Sequence, residues 1–179
     1  MSLLTIYQYP DTGLAKRADE ITEIDGGTNV LLTNMVDTMY SANGIGLAAN
    51  QVGVHERAIV VDTDSEDRGK KLVKLINPEI VESSGEITWE EGCLSVIDYS
   101  AEVQRAAKVL VRGWTPDQKE IEIEAEELLA VCLQHEIDHL DGTLFIDRIS
   151  RLKHDMYAKR LKRMVKSGQT PDGDRIPPI

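Results

Sequence analysis

The length, composition and charge of the chain exclude several broad classes of protein. A chain of 179 residues with 41% hydrophobic and 28% charged residues can bury one core, so a wholly disordered chain is not expected. The net charge of −11 disfavours free DNA as a partner, and two cysteines make a poor disulfide framework. No membrane span and no secretory signal is visible, which predicts a soluble cytoplasmic protein with no membrane partner.

The N-terminal half of the chain predicts helices first and short strands after them. A short helix is expected over Leu14–Ala18 and a longer one over Thr28–Ser41, which Asn43-Gly44 would stop. The longer helix has apolar residues at helical spacing: Val30, Leu31, Met35, Met39 and Tyr40. Four strands are then predicted at Ala58–Val61, Leu72–Ile76, Ile80–Glu82 and Glu86–Trp89.

The C-terminal half predicts a hairpin and two helices. Lys108–Trp114 and Glu120–Ala125 alternate in hydrophobicity around a short turn. Glu126–Leu140 is apolar on most sides, so this helix should be central and buried. A basic helix is predicted over 148–166 and a flexible tail over 167–179. The expected fold is one α+β domain over residues 1–166, with antiparallel β-sheets packed around the central helix.

An H-E-x-x-H pattern, His135-Glu136-Ile137-Asp138-His139, lies inside the predicted central helix. Residues four apart leave the same face of a helix about one turn apart, so both imidazoles can reach one divalent ion. Glu136 follows the first histidine and could touch a water on that ion without being a ligand itself. The pattern therefore predicts a catalytic metal site.

Spacing alone leaves the third ligand of this site open. A catalytic zinc-type site needs three protein ligands, but no glutamate follows His139 and the extended histidine motif of many zinc proteases is absent. Cys93, beside a glycine after a predicted strand, would offer a soft thiolate. Cys132 is the alternative, although its place on the apolar helix favours a buried core cysteine.

Three segments resemble the signature motifs of the peptide deformylase family, in that family's usual order. They are Gly44-Ile45-Gly46-Leu47-Ala48-Ala49-Asn50-Gln51, Glu91-Gly92-Cys93-Leu94-Ser95 and the H-E-x-x-H segment. Tyr9-Pro10-Asp11 and Ile76-Asn77-Pro78 are also similar to that family. The resemblance covers roughly residues 5 to 150, and three motifs in register are much more specific than one.

The resemblance implies a reaction and the residues that carry it out. Cys93, His135 and His139 would bind one divalent metal, with Fe²⁺ as the expected native ion and Zn²⁺, Ni²⁺ or Co²⁺ as substitutes. Glu136 would serve as general base and acid while hydroxide on the metal attacks the formyl carbon. The implied substrate is the N-formyl-methionyl end of newly made bacterial-type polypeptides, from which the enzyme releases formate.

The resemblance also implies how the substrate is held. The Gln51 side chain and the Leu94 backbone N–H would bind the formyl oxygen, and Gly46 would lie against the substrate backbone. Asp138 is expected behind the ligands, paired with Arg105 as in similar proteins. The pocket for the methionine side chain would be lined by Ile45, Trp89, Leu128, Cys132 and Leu133.

Several departures from the family pattern indicate a somewhat divergent bacterial-type member. Val96 and Ile97 follow Ser95 where the family often has a proline two residues after the serine. Asp98-Tyr99-Ser100 stands where an arginine or similar group is frequent, near the substrate backbone. These changes spare the metal ligands, so we expect them to alter substrate preference rather than chemistry.

The basic segment 148–166 has two interpretations. It carries eight Lys or Arg residues against one acid, which suits a solvated helix docked on the domain. The family resemblance instead implies a contact with the ribosome through Arg151, Lys159, Arg160, Lys162 and Arg163.

Two other functions compete with the deformylase hypothesis. A zinc endopeptidase would use the same H-E-x-x-H, but the downstream ligand is missing. A non-catalytic ribosome-associated domain would hold a structural metal with four protein ligands, and no fourth is apparent.

Overall fold

The computed structural model describes residues 2–64 and 67–167. Within these ranges no helix combines the length and the apolar character needed to cross a membrane. The helices and strands, in chain order, are α1 (Gly26–Ser41), β1 (Gly46–Ala48), β2 (Ala58–Val61), β3 (Val73–Ser84), β4 (Ile87–Cys93), β5 (Val96–Arg105), β6 (Lys108–Trp114), β7 (Glu120–Glu126), α2 (Glu127–Leu140) and α3 (Arg151–Ser167).

Two antiparallel sheets and the helices form an α+β fold. The larger sheet has the order β1-β2-β3-β6-β7, and β4 pairs with β5 in a second sheet. Side chains alternate along β2: Ile59 and Val61 pack in the cluster with α2, whereas Ala58 and Val60 pack in the cluster with α1. The larger sheet therefore has a helix against each face, and the predicted fold class is confirmed.

Helix α2 is the central helix that the sequence predicts. It contacts β1, β2, β6 and β7, and every residue from Ala130 to Leu140 is buried. Burial on all sides explains why so many of its residues are apolar. The polar residues among them, including both histidines of the motif, must therefore find partners inside the protein.

The first two predicted helices need correction. Helix α1 begins at Gly26, two residues earlier than predicted, because the Asp25 carboxylate caps it by accepting a hydrogen bond from Thr28 N at 3.0 Å. Val30 is 60% exposed and does not belong to the buried face of this helix. The helix predicted over Leu14–Ala18 is instead a single 3₁₀ turn at Thr12–Ala15.

The predicted strands of the middle region are also revised. One strand, β3, replaces the two predicted on either side of Asn77-Pro78, because a register shift between Ile76 and Glu79 absorbs the irregularity. Strand β4 runs on to Cys93, and its partner β5 was not predicted at all. By contrast, β2 and the β6–β7 hairpin lie where the alternation of side chains predicts them.

Helix α3 begins at Arg151 rather than at Arg148. Arg148 ends a 3₁₀ turn over Phe145–Asp147, and its side chain binds Asp138. Tyr157 and Leu161 dock α3 on a cluster that contains Val96, Val103, Phe145 and Ile146. Ser167 is the last residue of α3, and the rest of the predicted tail, 168–179, lies outside the described residues.

Candidate active site

The two motif histidines lie one turn apart on the buried part of α2. Their ring centroids are 4.9 Å apart, and the rings are nearly perpendicular at 78°. His139 is 1% exposed and His135 is 8% exposed, so neither ring is hydrated as a surface histidine would be. The helical spacing thus places both imidazoles on one face, as the H-E-x-x-H pattern predicts.

Cys93 joins the two histidines from the end of β4. A register shift between Gly92 and Cys93 interrupts the pairing with β5, where the hairpin turn begins. The Sγ atom lies 3.2 Å from His139 Nε2. Potential ligand atoms of Cys93, His135 and His139 all lie within 4.8 Å of one another. One thiol and two imidazoles at this separation fit a single divalent ion of the zinc or iron type.

Cys132 does not join this group. Its side chain is buried on α2, where burial raises the pKa of the thiol well above its usual value. The thiol faces the carbonyl oxygen of Ile45, with Sγ 3.7 Å from that oxygen. The structure therefore resolves the choice that spacing alone left open: Cys93, which the family resemblance implied, provides the sulfur of the candidate metal group.

Glu91 orients the His135 ring from behind. Its Oε2 atom lies 2.8 Å from His135 Nδ1, which leaves Nε2 for the metal. Burial alone would raise the pKa of Glu91, but hydrogen bonds from Arg105 and His135 outweigh it and lower the pKa to about 2. Sequence reasoning missed this role, because Glu91 was noted only as part of a motif.

Glu136 is a buried carboxylate beside the candidate ligands. Burial, reinforced by the nearby charges of Glu91 and Asp138, raises its pKa to about 7. Its Oε2 atom has no hydrogen-bond partner among the described residues, so it is available to a water or a substrate. A Cβ atom at Gly46 would lie 2.2 Å from Glu136 Oε1. Only glycine at position 46 therefore lets the carboxylate occupy this place.

Gln51 has a fixed side-chain orientation at the same site. Its Oε1 accepts a hydrogen bond from Ala48 N at 2.8 Å, so Nε2 is the end directed at the site. Nε2 lies 3.1 Å from Ser95 Oγ and 3.4 Å from Cys93 Sγ. Leu94 occupies the turn between β4 and β5, and its carbonyl oxygen accepts a hydrogen bond from Gln8. The residues predicted to bind a formyl oxygen thus lie beside the candidate ligands.

A cavity of about 440 Å³ opens onto these groups. Of the residues predicted for the methionine pocket, four of the five line it together with Gly46: Ile45, Trp89, Leu128 and Cys132. Leu133 does not line this cavity, because its position on α2 directs it into the core, and it is fully buried there. Val131, one turn before His135, lines the cavity instead. Helical spacing from His135 could have identified it.

Comparison with known proteins identifies the family. A family model described as Polypeptide deformylase matches residues 3–155 of the chain. The chain belongs to this family. A peptide deformylase from Thermodesulfovibrio yellowstonii is 54% identical over 162 residues, which cover 90% of this chain and 98% of that protein. The deformylase assignment made from the motifs is therefore confirmed, and so is the predicted enzyme class.

Solved deformylase structures share the fold. A crystal structure of a peptide deformylase from Legionella pneumophila has a TM-score of 0.87 at 42% identity, covering 95% of this chain and 100% of that one. A peptide deformylase from Ehrlichia chaffeensis in complex with actinonin has a TM-score of 0.85 at 38% identity, with the same coverage. The deformylase family match includes all the candidate site residues, but it ends at residue 155, near the start of α3.

Two of the departures noted in this deformylase sequence lie at the rim of the cavity, whereas Val96 is buried. Asp98 and Tyr99 line the cavity beside Glu90, and the φ of 48° at Asp98 lies in the left-handed region. Tyr99 stacks on Tyr157 of α3, with ring centroids 4.6 Å apart. Ser100, the last residue of this segment, donates a hydrogen bond to Glu90.

Proposed function

We propose that this chain is a metal-dependent hydrolase that removes the N-formyl group from N-formyl-methionine at the start of newly made polypeptides and releases formate. One observation carries the proposal within the deformylase family. The Cys93, His135 and His139 ligand atoms lie within 4.8 Å of one another, next to Glu136, whose Oε2 has no hydrogen-bond partner in the described part of the chain. Such substrates arise where bacterial-type protein synthesis takes place, which agrees with the predicted cytoplasmic location.

The proposed metal is Fe²⁺, held by the Cys93 thiolate and the two imidazoles. These ligands would also accept Zn²⁺, Ni²⁺ or Co²⁺. When bound, a divalent ion lowers the pKa of its water and polarises the substrate carbonyl oxygen. The chain contributes the orientation of the ligands, since Glu91 fixes the His135 ring through Nδ1.

Glu136 moves the proton in the proposed reaction. It accepts a proton from the attacking water and passes it to the departing amine nitrogen as the formyl C–N bond breaks. Gln51 and the Leu94 backbone N–H bind the oxygen of the formyl group, where negative charge develops. The orientation of Gln51 supports this role, because Ala48 N holds Oε1 and Nε2 therefore points to the side of Cys93 and Ser95, where the formyl oxygen would bind.

The cavity would bind the substrate's methionine side chain. Its volume of about 440 Å³ lies within the range of small-ligand pockets. Ile45, Trp89, Leu128 and Cys132 provide apolar surface, and Gly46 would lie along the peptide backbone. A flexible thioether side chain packs well on such a surface.

The decisive test is formate release by the protein loaded with Fe²⁺ without oxygen. With formyl-Met-Ala-Ser as substrate we expect turnover, and Glu136→Ala should reduce kcat by about 10³-fold because the proton acceptor is lost. Metal content, measured in both proteins, should be equal. Equal rates in the two proteins would contradict the assignment of Glu136, and cleavage of an internal peptide bond would support an endopeptidase.

We further propose that the basic face of α3 contacts the ribosome. The five cations predicted for this contact are all exposed and available to an RNA surface: Arg151, Lys159, Arg160, Lys162 and Arg163. Deletion of the helix would also remove Tyr157 and Leu161 and uncover the apolar cluster on which they dock, so charge reversal is the cleaner test. Lys159→Glu with Arg163→Glu should abolish co-sedimentation with ribosomes in low salt, and unchanged co-sedimentation would refute the contact.

A further inference from the structure

A continuous series of polar contacts leads from the His135 ring to the protein surface. Glu91 Oε2 lies 2.8 Å from His135 Nδ1. Arg105 donates to both carboxylate oxygens of Glu91, at 2.7 and 2.9 Å. Arg105 Nη1 also donates to Asp138 Oδ2 at 2.5 Å. Arg148 completes the series with two hydrogen bonds to Asp138, each of 2.5 Å.

The inner members of this series are almost completely removed from water. The Arg105 and Glu91 side chains are 2% and 3% exposed, and Asp138 is 13% exposed. Arg148 is 42% exposed and is the only member that reaches solvent to a large extent. Buried charges are stable only when they are paired and hydrogen-bonded, so each member depends on its neighbour.

The charges alternate along the series. Two carboxylates and two guanidinium groups follow one another outward from His135. Removing Arg148 would leave Asp138 with Arg105 as its remaining cation, and Arg105 must also hold both oxygens of Glu91. The position of Glu91, and with it the orientation of the His135 ring, would then be less strictly fixed.

The segment that carries Arg148 contacts His135 by a second route. Arg148 follows the 3₁₀ turn Phe145–Asp147, and the Phe145 ring stacks on the His135 ring at 26° with 6.1 Å between centroids. The turn therefore supports the face of the imidazole, while Arg148 acts on its Nδ1 side through Asp138, Arg105 and Glu91. Arg148 also lines a groove outside the catalytic cavity, which leaves it accessible from solvent.

We propose that Arg148 is a positioning residue for the metal centre: it holds Asp138 and thereby keeps the His135 ring in the orientation that binds the ion. The inference rests on the proposed function, because it takes the three-ligand group to be a metal site. It assigns to Arg148 a role for which its place before α3 gives no indication in the sequence. Arg148 does not touch the substrate or the reacting atoms.

The test replaces Arg148 and measures the metal rather than only the reaction. Arg148→Met should release Co²⁺ to a chelator about tenfold faster, because residues behind metal ligands typically change affinity by about 10- to 100-fold and Arg148 is the outermost of them. The visible absorption bands of the Co²⁺ protein should shift or broaden. The variant should lower kcat more than it raises KM.

Two further variants make the result specific. Arg148→Lys keeps the charge but cannot form two parallel hydrogen bonds, so its Co²⁺ release rate should fall between that of the wild type and that of Arg148→Met. It also serves if the methionine variant does not fold. Arg112→Met removes a surface arginine that likewise makes two hydrogen bonds to one carboxylate, that of Glu122, and it should leave Co²⁺ release and spectrum unchanged.

Release rates and Co²⁺ spectra of the Arg148 variants that match the wild type would overturn the proposal. A lower melting temperature with unchanged Co²⁺ release and spectrum would also overturn it, because Arg148 would then contribute only to stability. The measurement does not depend on the substrate. A protein that binds Co²⁺ as expected but releases no formate from a formyl peptide would refute the proposed reaction. The positioning role of Arg148 would still be judged by the Co²⁺ release rate and the Co²⁺ spectrum.

Discussion

The inner end and the rim of the cavity are built in different ways. At the inner end, Gln51 and Glu136 are 1% and 3% exposed; Gln51 lies in the 3₁₀ turn Ala49–Val52, which follows β1, and Glu136 lies on α2. At the rim, Glu90 and Asp98 are exposed on strands β4 and β5. No lysine or arginine among the described residues lines the cavity to balance these two carboxylates.

The difference separates the requirements of chemistry from those of substrate choice. Proton transfer and oxyanion binding need groups placed to within a fraction of an ångström, which buried and hydrogen-bonded side chains provide. A solvated rim can exchange residues without disturbing that geometry. Two of the departures from the family pattern, Asp98 and Tyr99, lie at the rim, where we expect effects of a few-fold, whereas inner residues should have effects of hundreds-fold.

The largest effect after loss of Glu136 is expected for Gln51. Gln51→Ala removes the proposed donor to the formyl oxygen, and loss of such a donor typically costs about 10²- to 10³-fold in kcat. Steady-state kinetics should show this loss in kcat with little change in KM and with full metal content. The matched control is Gln104→Ala, an exposed glutamine whose amide binds Glu86, and it should retain wild-type activity. A kcat of Gln51→Ala within threefold of the wild type would contradict the role of Gln51 in binding the formyl oxygen.

Gly46 should show the next largest effect. Gly46→Ala would bring a methyl group to 2.2 Å from Glu136 Oε1 and force the carboxylate to move. A displacement of about 1 Å can cost about 10²-fold, so kcat/KM should fall by about that factor. In Gly26→Ala the new Cβ meets nothing within 4 Å, so this control should keep full activity. Activity near wild type in the Gly46 variant would show that the inner end tolerates movement.

The smallest effect is expected at the rim. Substrates with lysine after methionine should have a kcat/KM about threefold above those with alanine, since the lysine side chain can approach the unbalanced carboxylates. Asp98→Asn should reduce this preference, and high salt should remove it. Asp117→Asn, which changes an exposed acid in the β6–β7 turn, is the control. A preference that Asp98→Asn leaves unchanged would show that the rim does not select substrates by charge.

Local sequence patterns predicted much of the fold and the centre of the site. The alternation in Lys108–Trp114 and in Glu120–Ala125 predicted the hairpin, because side chains on a strand alternate between faces whatever surrounds them. Strand β5 escaped prediction. It includes the left-handed Asp98 and ends on the buried Arg105, so its pattern of polar and apolar residues is not that of a simple half-buried strand.

The sequence by itself determined that His135 and His139 share one face, because a helix of fixed pitch places residues four apart together. The tertiary structure decided that the sulfur comes from Cys93, 46 residues away from His139, and that Val131 rather than Leu133 faces the cavity. It also decided the contacts of Glu91 with Arg105 and of Asp138 with Arg148, whose partners are 14 and 10 residues apart, whereas the family resemblance already implied the pairing of Asp138 with Arg105. Contacts of that range depend on how sheets and helices pack, which no local pattern encodes.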